Sequence, residues 1–187
     1  MKDKITYPNV FFCPMGEKNT DTIDINFENE EVNQKINFFK SHPEILQEVF
    51  GNEKNYPKDY SKISFWGTTP SMENIWKEMN ENDLVFFSKN NQGFVYMAKI
   101  HKRIVNEDIK KEFWEIDDVK WHNVFFLKDV RKIQISTKEM NKFANYKEGY
   151  IYRGLSKLSR YWSVEFWESF SIYYYFNQSL FKKLEDE

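Results

Sequence analysis

Residues 65–87 read FWGTTPSMENIWKEMNENDLVFF. An indole, a glycine and a hydroxyl stand side by side here as Trp66, Gly67 and Thr68. Such a trio suits binding better than bond-making. An indole face stacks on another flat π system, glycine lets the chain turn and leaves its N–H bare, and a threonine hydroxyl both donates and accepts. The stretch has the makings of one wall of a pocket for a flat ligand. Two further polar groups, Asn74 and Asp118, are candidate edge-readers alongside Thr68. A carboxylate or amide oxygen accepts from an exocyclic N–H, and a hydroxyl donates to a ring nitrogen.

Bond-making chemistry has thinner support. Asp118-Val119-Lys120 fits half of a metal-dependent nuclease site, with Asp108 upstream as a first carboxylate for Mg²⁺. Strand alternation, however, turns Lys120 away from the face that holds Trp121. His42, His101 and His122 show no metal-ligand spacing. No serine or cysteine sits in a nucleophile-elbow context, and no Gly-rich phosphate loop or other cofactor motif occurs. The expectation is a module without catalysis of its own, with no metal and no cofactor.

Short elements must position these groups. Ile5 to Phe12 reads as a strand, and Thr22, Ile23, Ile25 and Phe27 hint at an alternating one. Val32, Ile36 and Phe39 recur at helical spacing. Ser41, with Pro43 and Glu44 behind it, reads as the cap of a second helix to Phe50. From residue 63 the punctuation sharpens. A strand over 63–66, a turn at Gly67–Pro70, a helix from a Ser71 cap to Met79 and a buried strand over 84–88 follow one another. A hairpin through Lys89–Gln92 and Gly93 leads to a returning strand to Arg103. A helix over 107–114 comes next, then a strand to Leu127, a Lys128-Asp129 turn and a further strand to Ile135. Helices are expected over 138–145 and 162–184, with Trp162, Phe166, Phe170 and Tyr173 sharing a face. Hairpin-joined strands with short helices between them predict an α+β barrel or half-barrel.

The bulk properties fit. The 187 residues include 18 Phe, 11 Tyr and 6 Trp, so aromatic burial must dominate the core. Cys13 is the lone cysteine, which excludes an internal disulfide framework. The N-terminus lacks an apolar leader, and the stretch from Tyr161 to Phe176 is short and carries two glutamates, so a cytoplasmic protein without a membrane span is expected. Charge is uneven. Residues 99–160 hold 15 Lys/Arg against 9 Asp/Glu, a net +6 in a chain whose total is −2. A basic middle suits a polyanion-binding face as well as an ordinary solvated surface.

The order of these residues carries a resemblance. Phe65-Trp66-Gly67-Thr68, Asn74-Ile75-Trp76, Asn82-Asp83-Leu84-Val85-Phe86-Phe87 and Gly93 through Ile100 come first. Phe113-Trp114, Trp121-His122-Asn123-Val124-Phe125-Phe126-Leu127, Gly149-Tyr150 and Arg153-Gly154-Leu155 follow. Residues 63–158 resemble the EVE/YTH branch of the PUA-like fold, in particular the N-terminal DNA-reading domains of McrB-type modification-dependent restriction proteins. The resemblance implies a small PUA-like β-barrel with short peripheral helices. Outside it lie an expected mixed helix/strand extension over 1–62, packed on the core, and an expected aromatic helix over 159–187. It implies that a modified base, methylated above all, is flipped into an aromatic cage. Trp66-Gly67-Thr68 occupies the place of one cage wall, though the family often has Ser or Ala where Gly67 stands. Trp114 and Trp121 are candidates for the other walls.

The expected base-binding set is therefore Trp66, Gly67, Thr68, Asn74, Trp114, Asp118 and Trp121. The expected phosphate-binding set is Lys99, Lys102, Arg103, Arg131, Lys132, Arg153, Lys157 and Arg160, with Lys128 beside them. DNA is the expected partner, and a separate motor or nuclease subunit would complete a restriction system. RNA binding and a protein-interaction role for the aromatic C-terminal helix remain alternatives.

Overall fold

The computed structural model describes residues 7–15, 30–114, 121–177 and 182–183. The chain runs through β1 (Val10–Pro14), α1 (Glu30–Ser41), α2 (Pro43–Phe50), β2 (Ser64–Thr68), α3 (Glu73–Lys77), β3 (Leu84–Lys89), β4 (Gly93–Val105), α4 (Glu107–Trp114), β5 (Asn123–Ile135), α5 (Thr137–Phe143), β6 (Ser156–Lys157), α6 (Arg160–Phe176) and β7 (Lys182–Lys183). The strands form one mixed sheet in the order β2-β5-β4-β3-β1-β6, and β7 also pairs with β5. Only β1 and β3 run parallel among the described pairs.

The sheet curls into a half-barrel, and its bulges give the reason. The β4–β5 register slips at Phe94/Tyr96, Met97/Lys99 and Ile100/Lys102, and β3–β4 slips at Phe87/Ser88. Each extra residue bends its strand and raises the local twist. Strand alternation then divides the core in three. Phe11, Cys13, Trp66, Val85, Phe87, Tyr96, Ala98, Ile100, Phe125 and Leu127 point inward and pack with Trp76 and Met79. Their neighbours point outward into two clusters. One, with Phe12, Phe86, Phe94 and Ile135, lies under α5 and α6 through Met140, Phe166 and Phe170. The other, with Phe65, Val124 and Phe126, lies under α1, α2 and α4 through Phe39, Ile45, Leu46, Ile109 and Trp114. The fold is α+β, as expected.

β1, which precedes residues 63–158, is part of the sheet and lies between β3 and β6. Some element expectations need correction. Residues 128–135 do not form a separate hairpin strand. β5 continues unbroken from Asn123 to Ile135, and Asp129 absorbs the bulge with φ 52. Ser41 caps nothing on α2; its hydroxyl donates back to the carbonyls of Asn37 and Phe38 at the end of α1. Thr69, not Ser71, stands before the 3-10 turn Pro70–Met72 that leads into α3. α6 ends at Phe176, short of the expected residue 184, and the Asn177 side-chain amide donates back to the Tyr173 carbonyl in its last turn. The alternating stretch expected around residues 22–27 lies outside the described residues.

Candidate nucleic-acid interface

Strand β2 is the local frame of the site. Among the described residues it pairs with β5 alone, Trp66 opposite Phe125, Gly67 opposite Val124 and Thr68 opposite Asn123. Alternation sends Trp66 into the inner core, where it is 2% exposed, and Phe65 to the outer face under α1 and α4. Gly67 has no side chain to offer that outer face. A Cβ there would lie 2.7 Å from Trp114 Cζ3 and 3.0 Å from the Trp121 carbonyl oxygen. The glycine thus lets the Trp114 ring lie directly on the strand.

Three indoles expected from the sequence converge here. The Trp66 and Trp121 centroids are 5.8 Å apart, and those of Trp114 and Trp121 are 5.9 Å apart, all rings tilted. Trp121 packs against both the inner and the outer cluster, and it alone of the three is only half-buried. Trp121 thus touches both Trp66 and Trp114 and bridges the inner and outer clusters.

The polar edges differ from ring to ring. The Trp66 side chain hydrogen-bonds the Cys13 thiol, and burial, the stronger influence, pushes that thiol up to about 12. Trp114 Nε1 and Trp121 Nε1 are buried with no hydrogen-bond partner among the described residues. Asn123 Nδ2 is a third such donor, on a residue 1% exposed and paired in register with Thr68. Sequence reasoning passed over Asn123, although it stands in the Trp121-His122-Asn123 run. Buried donors without partners are rare enough that each invites an explanation.

Other expected residues scatter. Thr68 is buried at the end of β2, while Asn74 is exposed on α3. Asp118 lies outside the described residues, as do Val119 and Lys120 of the nuclease alternative. Asp108 is on α4, 4.0 Å from Lys111. No group of three or more His, Cys, Asp or Glu side chains able to hold a metal occurs among the described residues.

The basic residues fall into separate places. Lys99 pairs with Asp129 at 2.6 Å, and Arg131 lies over the Tyr174 ring; both line a cavity of about 380 Å³ between the sheet and α6. Lys102 and Arg103 line a second cavity of about 380 Å³ beside α3. There the Arg103 guanidinium donates to the Trp76 carbonyl and stacks on its ring, which fixes α3. Lys157 pairs with Glu78, and Lys128 with Glu81. Lys102, Arg153 and Arg160 are exposed, and Lys132 is half-buried on β5. Neither cavity is lined by Trp66.

Comparison with known proteins gives a fold. No family model and no curated protein sequence matches the chain. Among solved structures, the N-terminal domain of Thermococcus gammatolerans McrB, bound to m5C DNA, superposes with a TM-score of 0.58 at 15% identity. The superposition covers 88% of this chain and 98% of that one. Human THYN1, in complex with 5-methylcytosine-containing DNA, aligns with a TM-score of 0.43 at 13% identity, over 84% of this chain and 97% of its own. The chain shares the fold of that McrB domain. No helix among the described residues is long and apolar enough to cross a membrane.

Proposed function

We propose that this domain binds DNA and reads a modified base, and that Trp66, Gly67, Thr68, Trp114, Trp121 and Asn123 form the reading site. The observation that carries the proposal is the convergence of three indoles on Gly67, within a fold whose McrB example was solved with m5C DNA. Asn74 and Asp118, from α3 and from the segment before Trp121, stay in the proposal as edge-readers.

The chemistry follows from what each group offers. An aromatic ring gains about 1–3 kcal/mol per stacked base, and flipping a base out of a duplex costs a few kcal/mol. Stacking must therefore be joined by edge and backbone contacts. Trp121, half-buried and touching both core clusters, is the wall that moves. A base taking its place beside Trp66 or Trp114 meets donors that now lack partners. The exposed Lys102, Arg153 and Arg160 contact phosphates directly. Lys99, Arg103, Arg131, Lys132 and Lys157 add to the field after giving up intramolecular partners. Binding is the domain's whole task in this reading, and cleavage belongs to a separate motor or nuclease subunit.

The test is binding at one fixed salt concentration to matched oligonucleotides. They are unmodified or carry 5-methylcytosine or N6-methyladenine, as duplex DNA, single-stranded DNA and RNA. Trp121→Ala runs beside the wild type, because truncating the fully buried Trp66 would first unfold the core. Preference for one modified DNA, lost about tenfold or more in the variant, supports the reading. Preference for RNA selects the RNA alternative. Equal weak binding to all, steep in salt and indifferent to Trp121, refutes it.

A further inference from the structure

We propose that the recess between the C-terminal half of α6 and the outer face of the sheet binds a small aromatic anion, with Arg131 holding its acidic group. The proposal does not rest on the base reading, because none of Trp66, Trp114 and Trp121 lines this recess.

Strand geometry gathers the polar groups. Leu84 of β3 pairs with Lys99 of β4, and Met97 of β4 pairs with Arg131 of β5. The bulge between Met97 and Lys99 takes up the odd residue, so Lys99, Asp129 and Arg131 all face the recess under α6. The Arg131 backbone is held on both sides, by β4 at Met97 and by β7 at Lys183. Its half-buried guanidinium lies over the Tyr174 ring at 5.8 Å and has no carboxylate within ion-pair distance among the described residues. The neighbouring cation differs, since Lys99 Nζ donates to Asp129 at 2.6 Å. The Lys99 charge is thus answered within the chain, and the Arg131 charge is open to an anion.

The rest of the recess suits a flat body. Its volume of about 380 Å³ falls within the range of small-molecule sites. Leu84, Met97 and Phe170 line it as buried apolar side chains. Trp167 and Tyr174 supply aromatic walls. The Trp167 ring is fixed, because its Nε1 donates to the Pro8 carbonyl at 3.0 Å and Tyr7 stacks on it at 6.4 Å. Ser171 and Tyr175 are exposed at the mouth. A ring seated here gains aromatic contacts, and its acidic group meets a guanidinium fork that matches a carboxylate or a phosphate. An uncharged ligand would cover the guanidinium without pairing it, which is costly. An aliphatic acid would forgo the ring contacts. The chemistry therefore selects an aromatic carboxylate or a nucleoside phosphate.

Calorimetric titration of the full chain with two matched pairs of probes is the test. One pair is 2-naphthoate and the uncharged 2-naphthalenemethanol; the other is adenosine 5′-monophosphate and adenosine. At least one anion should bind saturably, one per chain, and its uncharged counterpart about tenfold more weakly. Which anion binds tells an aromatic carboxylate site from a nucleotide site. Ser171→Trp sets an indole across the mouth and should abolish binding. Arg131→Gln should bring the anion down to the affinity of its counterpart. Arg131 also stands in the proposed phosphate-binding set, so this variant is read on the small anion alone. Ser171 is exposed, and its variant should keep the wild-type melting temperature. The comparison of anion with counterpart is made on the wild type and decides whether or not a variant folds. No saturable binding of either anion, or equal affinity for anion and counterpart, overturns the proposal. Binding that survives in Ser171→Trp and is lost in Trp121→Ala also overturns it, since that ligand sits among the indoles.

Discussion

Replacing Gly67 by alanine probes the packing on which the site depends. The added Cβ would sit 2.7 and 2.9 Å from Trp114 Cζ3 and Cη2 and 3.0 Å from the Trp121 carbonyl oxygen. None of these neighbours can retreat freely. Trp114 is 2% exposed and wedged between Phe65, at 5.7 Å, and Trp121. The carbonyl belongs to the chain just before β5. Overpacking of this kind costs about 1–3 kcal/mol, while alanine recovers about 0.5–1 kcal/mol that glycine loses in a strand. The net is a destabilisation of roughly 1–2 kcal/mol, which for a chain of this size lowers the melting temperature by about 2–8 °C. Thermal unfolding by circular dichroism measures it. The decisive control is Trp114→Phe, which deletes the atoms nearest the new Cβ. In that background the Gly67→Ala penalty should shrink by about 1 kcal/mol, a coupling that only touching residues show. A Gly67→Ala protein that melts at or above the wild-type temperature would refute the reasoning. So would an undiminished penalty in the Trp114→Phe background.

Three further outcomes follow from buried groups. Burial, and next to it the Lys128 charge, hold the His101 imidazole below its usual 6.5, outweighing the opposing Glu81. The unfolded chain then takes up the proton first, so stability is lost as pH falls through about 6.5; a His101→Gln protein should show a flatter melting temperature against pH from 7 to 5. Asn141→Ala leaves the Lys147, Glu148 and Tyr150 carbonyls without its Nδ2 donor and should cost about 1–3 kcal/mol in a urea titration; an unchanged midpoint would show that these bonds add nothing to stability. Cys13, buried with its thiol pushed up to about 12, should resist a thiol reagent at pH 8 until the protein is denatured, and fast native-state labelling would contradict the inner-core placement of β1.

What was legible in the sequence is what local punctuation encodes. Gly93 and the polar Lys89–Gln92 run mark the β3–β4 hairpin, and α4 begins and ends where its pattern says it should. The three aromatic cage candidates come together: the glycine after Trp66 signals close approach, Trp114 ends α4, and Trp121 leads into β5. The misread elements depend on partners far along the chain. Lys128-Asp129 looks like a hairpin turn, yet β4 holds both sides of it in one strand and leaves a bulge. A strand near β1 is expected from the sequence, but its parallel pairing with β3, seventy-four residues on, is not announced by composition. Asn123 reads as a polar residue at a strand entry. Its burial comes from its pairing with Thr68 and the indoles packed nearby.

The three tryptophans also differ in a way that orders their roles under the proposed reading. Trp66 has its N–H occupied by Cys13 and its ring locked in the inner core, so it offers a face and little movement. Trp114 is equally buried, but its N–H has no partner among the described residues, and Gly67 lets it lie against the strand. Trp121 spans the two clusters, is half-buried, and its N–H likewise has no partner among the described residues. Each buried, unpaired donor costs about 1–3 kcal/mol in the closed arrangement. Parting Trp121 from its neighbours breaks ring contacts worth about as much, about 0.5–1.5 kcal/mol per pair beyond area. Parting Trp121 also exposes apolar surface, so a bound base must supply both stacking and edge contacts to favour the open arrangement. A base that stacks on the vacated ring and supplies an acceptor tips the balance, so most of the selectivity must reside in the polar edge that meets Trp114, Trp121 and Asn123, and the stacking faces alone would admit any base.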